Sequence, residues 1–252
     1  RLYQLPLGVV GIAVGIVLLP DLSRRLKAED DAGARHAFSR AGEMALALTV
    51  PAAVALVVIP LPMVSVLFER GATSASDSAA IALAVAVYGL GLPAFVLQKV
   101  LQPLFFARED TRTPFRYAVW AMVVNAVLAV GLVPVLGWLA PALATTAAGW
   151  AMVVLLAVGA RRIGTSARFD DRFRRRIWRI CAASGLMGVI LAGTQWALSP
   201  FLGMDYWRYP ALVLLLFVGM ASYGLIGHAV GAFRLSDFRD ALRRRRSRDK
   251  TQ

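Results

Sequence analysis

Seven near-continuous apolar runs, each close to or above eighteen residues, follow one another with only short breaks between them. They are residues Leu2–Leu19, Glu43–Leu67, Ala79–Phe106, Arg116–Leu136, Trp138–Ala160, Trp178–Leu198 and Trp207–Val230. A helix needs about 20 apolar residues to cross the hydrocarbon of a bilayer. Only structures that satisfy their own backbone polar groups survive there. The chain therefore reads as an all-α polytopic membrane protein with about seven transmembrane helices. Composition agrees: 58% of the residues are hydrophobic and 17% are charged, against about 25% charged in soluble domains.

The breaks are unequal in charge. All but Arg1, Arg70, Lys99 and Arg208 of the 28 lysines and arginines fall in four regions: 23–41, 107–116, 161–179 and the tail after Val230. The intervening breaks are almost free of them. Such alternation orients a membrane protein with its basic loops in the cytoplasm, so the first run starts outside and the tail ends inside. The net charge of +13 belongs to these loops and not to one folded basic face, which argues against nucleic-acid binding. The 21–44 linker reads either as a short amphipathic helix on the membrane surface or as a solvated loop. In the 107–116 turn, Thr113 is placed to cap the next helix, with Pro114 at its first position.

Several chemistries are excluded. The 15 Asp and Glu residues lie in loops or at run ends, so no acid–base pair sits at membrane depth. His36 and His228 lack a second ligand at metal spacing, and no cofactor or metal site is expected. Cys181, the one cysteine, cannot form an internal disulfide and reads as a small packing residue. There is no phosphate-binding glycine loop followed by Lys-Ser or Lys-Thr.

Polar groups inside the runs remain as candidates. Lys99 is the sole internal ammonium, flanked by Gln98 and Gln102, with Pro103 breaking the ladder beyond. It either snorkels to the nearer interface or lines a path for an anionic substrate. Asn125, Thr145, Thr146 and Gln195 suit interhelical hydrogen bonds. Pro51, Pro60 and Pro62 predict a kinked second span. In the first run Gly8, Gly11 and Gly15 share one helix face at i, i+3 and i+7, and Gly11 with Gly15 makes a G-x-x-x-G pair suited to close helix contact.

Three stretches carry a resemblance. "RLYQLPLGVVGIAVGIVLLPDLSRRL" resembles the eighth helix of the lipid II flippase family MurJ (MviN), within the MOP exporter superfamily. The match runs through Arg1, Leu2, Pro6, Gly8, Gly11, Ala13, Gly15, Leu19, Pro20, Leu22 and Ser23; Ile16 departs from the small hydroxyl residue usual there. "VSVLFERGATSASDS" is similar to an outer loop of the same family, with Thr73 in place of an aromatic residue. "KVLQPLFFAREDTRTPFR" is similar to the end of its tenth helix and the following turn, through Lys99, Val100, Leu101, Pro103, Phe106, Ala107, Asp110, Thr111, Thr113 and Pro114.

The resemblance implies helices eight to fourteen of a fourteen-helix, MATE-like transporter. Residues 1–163 would be most of the C-terminal lobe, 164–177 a basic cytoplasmic linker, 178–230 two extra helices and 231–252 a basic tail. With Arg1 in place of a starting methionine, the chain reads as a fragment whose N-terminal lobe is elsewhere. The implied function is flipping of lipid II across the bacterial inner membrane by alternating access. The implied partners are lipid II, the surrounding membrane lipids and the missing lobe. Arg1, Lys99, Gln98 and Gln102 would face the substrate; Asn125, Thr145 and Thr146 would be the cation or polar contacts, although Ala129 replaces a polar side chain common in relatives. The last two helices would form a groove for the polyprenyl tail. A related exporter of oligosaccharide-lipids or drugs, and a non-transporting membrane scaffold, are the competing readings.

Overall fold

Proline and glycine positions divide the apolar runs into the elements seen in the computed structural model, which describes residues 4–69, 74–164, 167–204 and 206–231. Within the first helix, side chains are described for Gln4, Leu7, Gly8 and from Leu18 onward. The elements are α1 (Gln4–Lys27), α2 (Asp31–Val58), α3 (Pro60–Phe68), α4 (Ala75–Phe106), α5 (Arg112–Leu136), α6 (Ala140–Arg161), α7 (Asp171–Leu202) and α8 (Arg208–Ala229). Among the described residues there is no strand. Five helical stretches are long and apolar enough to cross a membrane, and one of these, 112–161, is the α5–α6 pair.

The expected kink in the second span is a full break. Pro60 has no N–H for the Leu56 carbonyl, so α2 ends at Val58 and α3 restarts after Ile59. Between α5 and α6 the chain reverses at Gly137, whose φ of +53° suits a residue without a Cβ, and a short 3-10 turn over Gly137–Leu139 leads into α6.

Helices outrun the apolar segments that seeded them. At 1.5 Å per residue, the 32 residues of α4 exceed a hydrocarbon core of about 30 Å. The surface-helix and loop readings of the 21–44 linker are both corrected. α1 continues to Lys27, and after a tight turn α2 starts at Asp31, with Asp30 accepting from the Gly33 N–H at 2.8 Å. Likewise α7 starts at Asp171, inside the expected 164–177 linker, where Asp170 accepts from the Phe173 N–H at 2.7 Å. The cap expected of Thr113 belongs to Asp110, which accepts from the Thr113 N–H at 3.0 Å; α5 begins two residues early and Pro114 falls later in its first turn. Thr113, through its hydroxyl and N–H, holds the Asp110 carboxyl below the usual carboxylate range.

Three buried clusters hold the described bundle, the smallest being Ala53 and Leu56 of α2 against Leu92 of α4. The largest joins Leu18 and Leu22 of α1, Phe38 of α2, Val100, Leu104 and Phe105 of α4, and Leu156 of α6. The second joins Ile59 and Val66 to Met187 and Leu191 of α7 and to Leu212 and Leu215 of α8. Outside these, the surface is apolar. In α5 only Pro114 is buried, and Val130 and Val135 are 76% and 81% exposed. Exposure of that kind is stable where lipid is the solvent. Cys181, expected to pack inside, is exposed on α7.

Candidate functional site

Where α4, α5 and α6 meet, a cavity of about 320 Å³ gathers four polar side chains singled out in the sequence: Gln98, Gln102, Asn125 and Thr145. Phe95, Met122 and Met152 supply apolar wall. The cavity exists because α6 is held close to α4 by side chains that reach backbone carbonyls. Thr146 Oγ1 donates to the Val87 carbonyl at 3.0 Å, Trp150 Nε1 to that of Leu90 at 3.1 Å, and Gln98 Nε2 to that of Gly149 at 3.0 Å. Pro93 lies about one turn beyond Leu90, and a proline opens the helical ladder around it.

Close approach is permitted by two glycines. A Cβ on Gly91 would stand 2.9 Å from Thr146 Oγ1, and one on Gly149 would stand 2.6 Å from the Phe95 ring. The polar candidates around this junction therefore separate. Thr146 is buried and tied to α4, while Thr145 lines the cavity and donates to its own helix at Pro141, 2.8 Å away. The cavity offers amide and hydroxyl groups from Gln98, Gln102, Asn125 and Thr145 and no carboxylate. Among the described residues, no group of three His, Cys, Asp or Glu side chains comes together.

Lys99 is not part of this cavity. It is exposed, and nine residues separate it from the exposed Leu90, which at 100° per residue is half a turn away around α4. Thus α4 is exposed on one side at Leu83 and Leu90 and on the other at Lys99, where Leu92, two turns earlier on the same face, is buried. α1 also packs on α4. In α1, a Cβ on Gly8 would meet no described atom within 4 Å. The surroundings of Gly11 and Gly15, and all of Arg1, lie outside the described residues.

A polar centre that sequence reasoning missed lies at the basic end of the bundle. Glu43 is 4% exposed, and its Oε2 takes Arg176 Nη1 at 2.8 Å and Arg40 Nη1 at 3.0 Å, while Oε1 faces Arg172 Nε at 3.9 Å. Around it, α7 is fixed to α2 along one stripe. Arg35 donates to the Phe169 carbonyl at 3.2 Å and the Asp170 N–H donates to Ser39 Oγ at 3.0 Å. Phe38, Phe169 and Phe173 stack with centroids 4.4 and 3.8 Å apart. A Cβ on Gly42 would come within 2.9 Å of the rings of both Phe169 and Phe173. Further along, Tyr223 donates to the Ala47 carbonyl at 2.7 Å, and Gly188 meets Val54 and Val58. The available signal was a lone carboxylate at the edge of an apolar run, three residues after Arg40 and opposite an arginine-rich helix start.

Comparisons with known proteins agree on one family. The family model described as lipid II flippase MurJ matches residues 1–218. A probable lipid II flippase MurJ of Rhizobium tropici is 41% identical over 249 residues, covering 98% of this chain and 46% of that protein. The corresponding protein of Rhizobium meliloti (strain 1021) is 40% identical over 247 residues, covering 97% and 46%. A solved structure of lipid II flippase MurJ in an inward closed conformation superposes with a TM-score of 0.71 at 22% identity, over 90% of this chain and 45% of that one. The chain spans about half the length of the relatives it matches.

Proposed function

The chain belongs to the lipid II flippase MurJ family, and from that premise we propose that it forms one half of a transporter moving lipid II from the inner to the outer leaflet of the bacterial inner membrane. Residues 1–163 serve as most of one lobe, 164–177 as the basic connection, and 178–230 as two added helices, followed by the basic tail. The basic loops and the C-terminus face the cytoplasm, as the charge alternation favours. The reading is of a transporter and not of an enzyme, since no acid–base or nucleophilic pair occupies the spans.

The observation that carries the reading is Lys99. An ammonium costs too much to expose to acyl chains without a purpose, and here it opens on the side of α4 opposite the apolar Leu90. Facing the missing lobe, it supplies positive charge to a path for a diphosphate-linked lipid, and Arg1, outside the described residues, is the second cation of this reading, its guanidinium suited to grip phosphate oxygens in pairs. Alternating access between lobes then carries the head group across while the tail stays in lipid. Gly8, Gly11 and Gly15 give α1 a smooth face for a moving contact between lobes. The neutral α4–α5–α6 cavity, with Gln98, Gln102, Asn125 and Thr145, acts as a polar contact within the lobe and lacks the carboxylate that strong cation binding favours.

The test is complementation by the intact parent in cells depleted of lipid II flippase. Lys99→Ala is expected to abolish rescue at normal expression, and Lys99→Arg to keep most of it. Full rescue by Lys99→Ala would favour the scaffold reading.

A further inference from the structure

Arg172, Arg175, Arg176 and Arg179 recur at i, i+3, i+4 and i+7, so they share one face of α7. They line a cavity of about 460 Å³ that Gly231, just past the end of α8, closes on one side. Arg179 Nη1 donates to the Gly231 carbonyl at 3.4 Å. Four guanidinium groups in the opening turns of a helix run against its dipole, which favours negative charge there. Glu43 engages this face through Arg172 and Arg176 and also takes Arg40. The two acids that start α7, Asp170 and Asp171, line a different cavity with Asp31, Arg35 and His36. The Glu43 ion pairs do not call for Arg175 and Arg179.

Depth identifies what does. Trp178 lies between Arg175 and Arg179 and is 76% exposed, in the position tryptophan takes at a membrane–water boundary. Deeper along α7, Leu186, Val189 and Ile190 are exposed apolar side chains. Arg175 and Trp178 are three residues apart, about 4.5 Å along the axis, so the arginines sit at the level of the head groups. We propose that this pocket binds the phosphate of an anionic phospholipid from the adjoining leaflet, its diester oxygens held by Arg175 and Arg179 and its glycerol end against the close of α8. This site is separate from the Lys99 path, and its failure leaves the transport reading untouched.

The test uses the full-length parent in detergent, with native mass spectrometry counting retained dioleoyl phosphatidylglycerol against dioleoyl phosphatidylcholine. The wild type is expected to retain phosphatidylglycerol preferentially. Arg175→Gln with Arg179→Gln, both outside the Glu43 ion pairs, should weaken that retention at least tenfold, from roughly fivefold per basic residue near a charged surface. The double lysine variant should recover part of it, and an unchanged melting temperature shows that both variants fold. Equal retention of the two lipids by the wild type would overturn the proposal, as would undiminished phosphatidylglycerol retention by the glutamine variant. Inorganic pyrophosphate separates the two sources of phosphate. Displacement of the lipid at micromolar pyrophosphate would assign the pocket to a soluble anion instead, and persistence of the lipid at millimolar pyrophosphate supports a lipid site.

Discussion

The α4–α6 contact and the α2–α7 contact both bring helices into close register, and they do so with opposite chemistry. At membrane depth α6 is joined to α4 by Thr146, Trp150 and Gln98, uncharged donors that reach the backbone carbonyls of Val87, Leu90 and Gly149. At the basic end α7 is joined to α2 by a buried carboxylate, guanidinium groups and stacked rings. Lipid accounts for the difference. A carboxylate and its arginine partners keep their charges cheaply only where water and head groups are near. Farther in, glue must be neutral, and backbone oxygens are the acceptors available.

The contrast breaks most readily at Glu43. Glu43→Ala removes the buried carboxylate that joins the 13% exposed side chain of Arg176 to Arg40 and Arg172, which should cost about 3 kcal/mol. Limited trypsin cleavage after Arg168 in the parent protein checks this, because detachment of α7 exposes that segment. Cleavage no faster than in the wild type would mean that the aromatic stack alone holds α7.

A smaller effect is expected from Thr146→Val, which removes one neutral staple at nearly constant volume. Interhelical hydrogen bonds in membranes contribute about 0.6 kcal/mol on average, so detergent unfolding should shift slightly while trypsin cleavage near α7 stays unchanged. A loss as large as that of Glu43→Ala would erase the distinction between the two contacts.

The smallest effect lies outside both contacts. Ser74 and Asp77 form a capping box at the start of α4, with the Ser74 hydroxyl and N–H both donating to the Asp77 carboxylate. Those bonds hold its pKa below the usual carboxylate value. A group whose pKa is depressed on folding contributes stability above its unfolded pKa and loses it as pH falls through the folded value. Protection of the amides in the first turns of α4, taken relative to intrinsic exchange at each pH, should therefore fall below the normal carboxylate range, and Asp77→Asn should remove the pH step. Neither change should reach α6 or α7.

The spans were readable because a bilayer imposes one length and one polarity on whatever crosses it. The charge pattern and an interruption of the second span by its prolines were readable for similar reasons, being local, though not that Pro60 would end one helix and start another. Helix ends were harder. Hydropathy stops at Trp178, yet α7 begins at Asp171, since arginine-rich sequence in water is still good helix former and Asp170 caps it. The signal was present as an aspartate three residues before the amide it caps, Asp170 before Phe173 and Asp30 before Gly33. Glu43 with Arg176 was out of reach, because the pairing spans 133 positions and leaves no periodicity in the chain. In the candidate site, residue type gave the polar members but not their faces: Gln98 and Lys99 are adjacent in sequence, yet one enters the cavity and the other does not.

The α2 stripe has a mechanical consequence. From Arg35 to Val58 it spans 23 residues, about 35 Å of rod at the helical rise, with fastenings near both ends and at Ala47 between. One fastening would leave a pivot; several, spread along the length, resist torsion as well as separation. Any rotation of α2 therefore turns α7 and α8 with it as one lever arm, and whatever lies against them is carried through the same angle.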